Sequence, residues 1–248
     1  MIIEDSVVIV TGGASGLGKA IVEKLVVSNA KVIVLDINQK ALDDIKREIP
    51  EVTVYNCNIT DEKQISEIIF NVIEKFSKID ILINNAGILY SEPIFNLMAK
   101  NKRHSIEGWK KVIDINLTAV FLMSSYVIEQ MIMKRTKGLI VNISSVSAKG
   151  NEGQSAYSAA KAGVESLTKV WAKELGRYGI RSVAVAPGFM NTDSTHNVLN
   201  EKIIEEVQEE ILLKKLGNPH DIANTVAMII ENDFINSTVI DVNGGMCI

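Results

Sequence analysis

Val7-Val-Ile-Val-Thr-Gly-Gly-Ala-Ser-Gly-Leu-Gly18 joins four β-branched apolar residues to a glycine-rich turn, and the helix-period segment Ala20-Ile-Val-Glu-Lys-Leu25 follows at once. A continuous Val/Ile run, rather than apolar–polar alternation, marks a strand buried on both faces. The same rhythm continues along the chain. Lys31-Val-Ile-Val-Leu-Asp36 leads into a helical pattern at 39–49, and Val52-Thr-Val-Tyr55 into one at 62–76. Ile79-Asp-Ile-Leu-Ile83, Gly138-Leu-Ile-Val-Asn-Ile143, Ile180-Arg-Ser-Val-Ala-Val185 and Thr238-Val-Ile-Asp-Val242 supply the remaining strands. Strand–helix alternation throughout predicts an α/β fold: a doubly wound parallel sheet flanked by helices on both faces. No linker, repeat or low-complexity tract interrupts residues 1–248, so a single domain is expected. Two connections, 88–108 and 187–200, are long and leave the carboxyl ends of strands, where open sheets bind ligands; both read as substrate loops.

At 47% hydrophobic and 23% charged residues, the 248-residue chain is neither disordered nor collagen-like. A net charge of −4 argues against nucleic-acid binding by phosphate neutralisation. Cys57 and Cys247 are too few for a disulfide framework or a four-thiolate zinc site, which leaves the reducing cytoplasm as the default compartment. The start, Met-Ile-Ile-Glu-Asp, carries acids where a signal peptide needs bases, and the uncharged apolar stretch 115–128 is too short to span a bilayer, so no membrane is expected. His104, His196 and His220 lack ligand spacing, so no metal is expected, and no Gly-x-Ser-x-Gly elbow supports a serine hydrolase. Met123, Met131 and Met133 fit helix packing, and the acids of 201–210 fit a solvated helix face.

The glycine turn has chemistry as well as shape. Gly12 permits the tight turn, Gly16 lets main chain approach a pyrophosphate, and Gly18 lets the helix pack closely on the strand. Its place between the first strand and first helix points to dinucleotide binding on a Rossmann-type sheet, with the phosphates at the helix N-terminus. No Gly-Lys-Ser/Thr follows, which excludes a P-loop. Asp36 ends the second strand, where a carboxylate accepts from both ribose hydroxyls and repels a 2′-phosphate; a helix N-cap is the competing role. Leu35, Ile37 and Asn38 beside it bring no arginine, so NAD is favoured over NADP.

Tyr157 and Lys161, in Ser155-Ala-Tyr-Ser-Ala-Ala-Lys161, stand one helical turn apart on one face. For a phenol of pKa about 10 to act as a base near neutrality, its anion must be favoured by roughly 4 kcal/mol. A buried ammonium and the positive ring of an oxidised nicotinamide act in that direction.

With the Thr11-Gly-x-x-x-Gly-x-Gly18 turn come Asn84-Asn-Ala-Gly87, Asp114-Ile-Asn-Leu117, Ser145, Tyr157, Lys161, Pro187-Gly188-x-x-x-Thr192 and Asn243-Gly-Gly. In this set and order the whole chain resembles the short-chain dehydrogenase/reductase family. The resemblance implies Tyr157 as general acid/base, Ser145 polarising the carbonyl, Lys161 holding the ribose and tuning the phenol, and Asn116 organising a water-linked proton path. It places the cofactor along Gly12, Ser15, Gly16, Leu17 and Gly18, beside Asp36, Asn58 and Ile59, and past Asn85, Ala86 and Gly87. Pro187, Gly188 and Thr192 are expected near the carboxamide, with Tyr157 and Lys161 at the same end. Three positions depart from the family, the simplest being Asn243, which replaces the commoner aspartate before the final glycines. Ser145 stands 12 residues before Tyr157, one fewer than usual, which would select Ser144, whereas the strand-end sequence Asn-Ile-Ser-Ser favours Ser145. Asn58 stands where many relatives carry an aspartate near the adenine.

Hydride transfer between NAD and a secondary alcohol or ketone follows from these groups together. Phe95-Asn-Leu97 with His104-Ser-Ile-Glu-Gly-Trp109 resembles the inserted loop of type II 3-hydroxyacyl-CoA dehydrogenases, and Ile229-Ile-Glu-Asn-Asp-Phe-Ile235 their shortened C-terminal connection. Asn243-Gly-Gly-Met246 resembles 3-oxoacyl-[acyl-carrier-protein] reductases, which usually prefer NADPH. A 3-hydroxyacyl or 3-oxoacyl thioester is the expected substrate. Lys100, Lys102, Arg103 and His104 either meet phosphates of a CoA or phosphopantetheine arm or form a solvated face. A sugar, steroid or polyol is the alternative substrate class; an NAD-sensing regulator is a further alternative, against which the complete Asn, Ser, Tyr and Lys set argues. The resemblance implies a homotetramer.

Overall fold

The computed structural model describes residues 1–198 and 200–246. The β-branched runs form β1 (Val7–Thr11), β2 (Lys31–Asp36), β3 (Thr53–Asn56), β4 (Ile81–Asn84), β5 (Leu139–Ile143), β6 (Arg181–Pro187) and β7 (Val239–Val242). All pair in parallel, in the order β3-β2-β1-β4-β5-β6-β7. The order reverses between β1 and β4, so the loops leaving these strands diverge and open a crevice at their carboxyl ends.

Helices cover both faces: α1 (Gly16–Val27), α2 (Gln39–Glu48), α3 (Glu62–Phe76), α4 (Ile106–Ile113), α5 (Ala119–Met133), α6 (Ser155–Leu175), α7 (Asp193–Val198), α8 (Glu201–Glu210) and α9 (Pro219–Glu231). Alternate residues of one strand serve opposite layers. Val8, Val10, Val32 and Val34 pack with Ile21 and Leu25 of α1 and Val226 and Ile230 of α9. Val7, Ile9, Ile33 and Leu35 pack with Ile65 of α3, Met123 and Val127 of α5 and Trp171 of α6. In the five inner strands neither face meets water, which is why they read as unbroken apolar runs; the edge strands β3 and β7 are only partly covered. Local chemistry sets the helix starts. Asn38 accepts from the Ala41 N–H, Asp61 from those of Lys63 and Gln64, and Asn218 with Asp221 forms a capping box behind Pro219.

α4 and α5 are continuous through a π-helical turn at Asp114–Thr118. By length and composition the run Ile106–Met133 is enough to cross a membrane, because the helix continues past both ends of the 115–128 stretch. Here it is a core helix: Val112, Asn116, Met123, Ser124, Val127 and Met131 are buried. Met133, read as a packing residue, is exposed at the last helical position.

The two long connections are more ordered than expected. Within 85–105, Phe95 bridges Arg103 in a small hairpin, with the Asn96 N–H donating to Lys102 O (2.8 Å) and the His104 N–H to Ile94 O (3.1 Å). Ser105 then caps α4, so this segment stops short of residue 108. The 187–200 stretch is not a plain loop, since α7 occupies six of its residues. Its start is set by Thr192, whose hydroxyl accepts from the Thr195 N–H (3.3 Å). Leu199 of this stretch, and Cys247, lie outside the described residues.

Candidate active site

The glycine turn is locked from below. The Gly12 N–H donates to Leu35 O (2.7 Å), and both Gly12 (φ +61°) and Gly16 (φ +52°) adopt backbone that other residues resist. A Cβ on Gly18 would lie 2.1 Å from Gly12 O, whereas one on Gly16 would meet nothing within 4 Å. Gly18 therefore sets the contact between α1 and the turn, and Gly16 borders open space at the N-terminus of α1. Asn85 Nδ2 donates to Thr11 O and Gly12 O (3.0 Å each), and the Thr11 hydroxyl accepts from the Asn85 and Ala86 N–H groups (3.1 Å). Asn85 thus braces the turn, and Thr11, given no role by its sequence position, is the post it rests on.

A cavity of about 470 Å³ extends from this turn to Thr192. Every residue expected at the site borders it except Gly18, which lies beneath. At one end stand Ser15, Asp36, Asn58 and Ile59; at the other, Ser145, Tyr157, Lys161, Pro187 and Gly188. Leu89, Gln154, Phe189, Met190 and Thr195 also line it. Four of them lie in the two stretches read as substrate loops; Gln154 alone stands outside both, one helical turn before Tyr157.

Asp36 is not a helix cap, a part that Asn38 plays. Its Oδ2 accepts from the Ala14 N–H (3.3 Å) and its Oδ1 from the Asn38 N–H (3.0 Å), leaving the carboxylate at the cavity wall. Among the described residues Lys161 is the only cation lining the cavity, and it stands at the far end. Asn58 Oδ1 accepts from the Thr60 N–H (3.1 Å) and hydroxyl (2.8 Å), which orients the amide with Nδ2 as the atom left for a ligand. Burial pushes the Cys57 thiol up to about 11, so it stays an unreactive neutral group.

The two serines part company. Ser144 follows the alternation of β5 onto the face of Asn142: it is buried, and its hydroxyl donates to Glu165 Oε1 (2.8 Å) of α6. Ser145 breaks the alternation where the chain turns into a short 3-10 helix; its hydroxyl accepts from the Ser147 N–H (3.1 Å) and stands close enough to Tyr157 to favour the phenolate. Lys161 Nζ lies 5.7 Å from the centre of the Tyr157 ring and donates to Ile143 O (2.7 Å). Burial lowers this ammonium to about 8.

Burial also raises the Tyr157 phenol, with the Ser145 hydrogen bond opposing. The expected activation joins the lysine to the positive ring of an oxidised nicotinamide, and in the protein alone burial dominates. At this separation, with Nζ turned to Ile143 O, desolvation of the phenolate outweighs the charge.

Asn116 is wholly buried, accepting from the Ile88 N–H (3.1 Å) and donating to Ile88 O (3.0 Å) and Val112 O (3.1 Å). The amide ties the strand exit to the helix; what it leaves to a proton path is the main chain of the π-helical turn. His104 leaves the proposed cation cluster. Its side chain turns inward between Tyr90 and Trp109, with Nδ1 against Ser105 O (2.9 Å), while Lys100, Lys102 and Arg103 stay exposed.

An open glycine cradle at a helix N-terminus, a carboxylate at the end of β2, and a half-buried serine and tyrosine beside a buried lysine fit a nicotinamide dinucleotide. Residues 6–203 match the family described as short chain dehydrogenase. The chain belongs to the short-chain dehydrogenase family. As such it is an oxidoreductase acting on CH–OH or keto groups, in a family that uses nicotinamide cofactors. This short-chain dehydrogenase is 40% identical to a 3-oxoacyl-[acyl-carrier-protein] reductase of Thermotoga maritima, with all of both chains covered. It is 36% identical to one of Synechocystis sp. (97% of this chain, 96% of that one) and 33% identical to a sorbitol-6-phosphate 2-dehydrogenase of Klebsiella pneumoniae (98% and 96%). A short chain dehydrogenase of Bacillus anthracis has the same fold, with a TM-score of 0.89 at 31% identity over 99% of this chain and 97% of that one.

Proposed function

We propose that this short-chain dehydrogenase interconverts 3-oxoacyl and 3-hydroxyacyl thioesters, carried on CoA or an acyl carrier protein, using NAD(H). The observation that carries the chemistry is the convergence of Ser145, Tyr157 and Lys161 on one cavity that begins at the glycine turn. A nicotinamide dinucleotide held there by the glycine turn, Asp36 and Lys161 would supply hydride exchange with the carbinol carbon and, when oxidised, the positive charge that the raised phenol needs. Ser145 and Tyr157 hold the substrate oxygen between them. Tyr157 gives that oxygen a proton in reduction and takes one in oxidation, and the Lys161 ammonium favours the phenolate. Thr192, on the cavity wall, would meet the carboxamide.

Full-length similarity to 3-oxoacyl-[acyl-carrier-protein] reductases supports the thioester, as do the exposed Lys100, Lys102 and Arg103 on the hairpin beyond the cavity. Asp36, with no cation beside it on the cavity wall, supports NAD over NADP. A cytoplasmic homotetramer is the proposed working form.

The deciding experiment is a kinetic panel of 3-oxobutyryl-CoA, its carrier-protein ester and simple ketones, each with NADH and NADPH. NADH is expected to exceed NADPH by about 100-fold in kcat/KM, since placing a 2′-phosphate against a carboxylate costs several kcal/mol. Asp36→Ala narrows that ratio; an NADPH preference in the wild type sinks the assignment. The serines give a second check. Ser145→Ala lowers kcat by about 10²-fold, the usual effect of losing one donor to a reacting oxygen. Ser144→Ala keeps kcat and loses about 1 kcal/mol of stability with its bond to Glu165, read by denaturant melting.

A further inference from the structure

Gln154 stands at the start of α6, three residues before Tyr157, and is 8% exposed. Its position is that of a helix cap, yet its side chain makes no cap hydrogen bond. Nε2 lies 3.3 Å from Ser91 Oγ, at the long end for such a bond, and Oε1 has no hydrogen-bond partner. Among the described residues the only other buried side-chain polar atom in this condition is Ser182 Oγ, on β6. Gln154 lines the cavity, whereas Ser182 does not. Proteins rarely leave a buried amide atom unsatisfied, because doing so forfeits its hydration without return. Helix capping and core packing both fail to account for it.

Its neighbours indicate what completes it. The Glu92 N–H donates to Gly153 O (2.7 Å) and Ser91 meets Gln154, so the base of the 85–105 segment is fastened to the turn that precedes Tyr157. Gln154 therefore sits where the substrate segment, the cavity and the catalytic helix meet, one helical turn from the phenol. The Ser91 hydroxyl donates or accepts, so it serves either atom of the amide and leaves the other for a ligand.

We propose that Gln154 is a specificity-determining residue that hydrogen-bonds a second polar group of the substrate, a carbonyl or hydroxyl within a few bonds of the reacting carbon. Resting on the thioester reading above, that group is the thioester carbonyl, which takes an Nε2–H while Ser91 turns its hydroxyl to Oε1. The amide then selects β-dicarbonyl substrates over ketones that carry one oxygen.

The test compares wild type with Gln154→Met, a variant of similar volume, on 3-oxobutyryl-CoA and on 2-pentanone, with the reduced cofactor the enzyme prefers. The variant is expected to lose 10- to 100-fold in kcat/KM on the thioester, mainly through KM, and to stay within twofold on the ketone. Gln154→Ala should reproduce that selective loss if the methionine variant folds poorly. A variant that keeps the wild-type preference for the thioester overturns the inference. If the wild type itself shows no such preference, it is the thioester reading that fails. Gln154 is then judged on 1-hydroxy-2-butanone against 2-butanone, where loss on the hydroxyketone alone supports it and equal effects on both overturn it.

Discussion

Tyr157→Phe is expected to lower kcat by 10²- to 10⁴-fold, the usual span for removing a positioned acid–base group. The ring stays against Lys161 and only the hydroxyl goes, together with its interaction with Ser145. No neighbour takes over. Among the described residues the other titratable groups on the cavity wall are Asp36, at the end of β2, Cys57, held neutral by burial, and Lys161, which sits one helical turn along. KM for the cofactor should change little, because the phenyl face is retained. In the wild type, alcohol oxidation rises with pH as the phenol ionises; in Tyr157→Phe that limb flattens. A variant that retains more than a tenth of wild-type kcat removes Tyr157 from the mechanism.

Lys161→Met is expected to abolish most activity and yet stabilise the cofactor-free protein. The ammonium is buried with one hydrogen bond, to Ile143 O, and no carboxylate beside it. Its folded pKa of about 8 lies below the unfolded 10.5, so the folded state holds the proton less tightly. Below about pH 8 the lysine is charged in both states and the folded protein bears the full penalty, about 3 kcal/mol. Between about pH 8 and 10.5 the unfolded chain binds the additional proton, so stability contributed by this group rises with pH. Allowing about 1 kcal/mol for the lost hydrogen bond, Lys161→Met should gain about 2 kcal/mol at pH 7, a rise of several degrees in Tm. The gain shrinks as the pH approaches 10. Melting curves at pH 7 and pH 9.5 on cofactor-free protein decide the matter, and a variant less stable than wild type at pH 7 counts against it.

The same burial explains where reading residues in order fell short. Ser144 and Ser145 are adjacent and chemically alike, and spacing to Tyr157 points to the wrong one. Strand alternation carries Ser144 to Glu165, and the break in β5 turns Ser145 to the phenol. His104, placed among cations by its neighbours in sequence, folds inward because the hairpin of 94–104 presents alternate sides. The helix at Asp193–Val198 escaped notice because no apolar period marks it; the hydroxyl of Thr192 starts it. Gln154 carries no motif at all. Its amide is half satisfied because Ser91, some sixty residues earlier, meets Nε2 and leaves Oε1 without a partner.

What the chain states in linear form is whatever depends on neighbours within one element. The seven strands, the turn with Gly12, Gly16 and Gly18, the pairing of Tyr157 with Lys161, and Asp36 at a strand end belong to this class, since burial on both faces, φ angles and helical pitch are local constraints. What tertiary structure alone decided is the direction and protonation of the side chains that meet across elements: which serine reaches the phenol, which amide is left without a partner, and how burial shifts Tyr157 and Lys161. Desolvation and hydrogen bonding between β4, β5 and α6 depend on packing distances that no pattern along a single chain encodes.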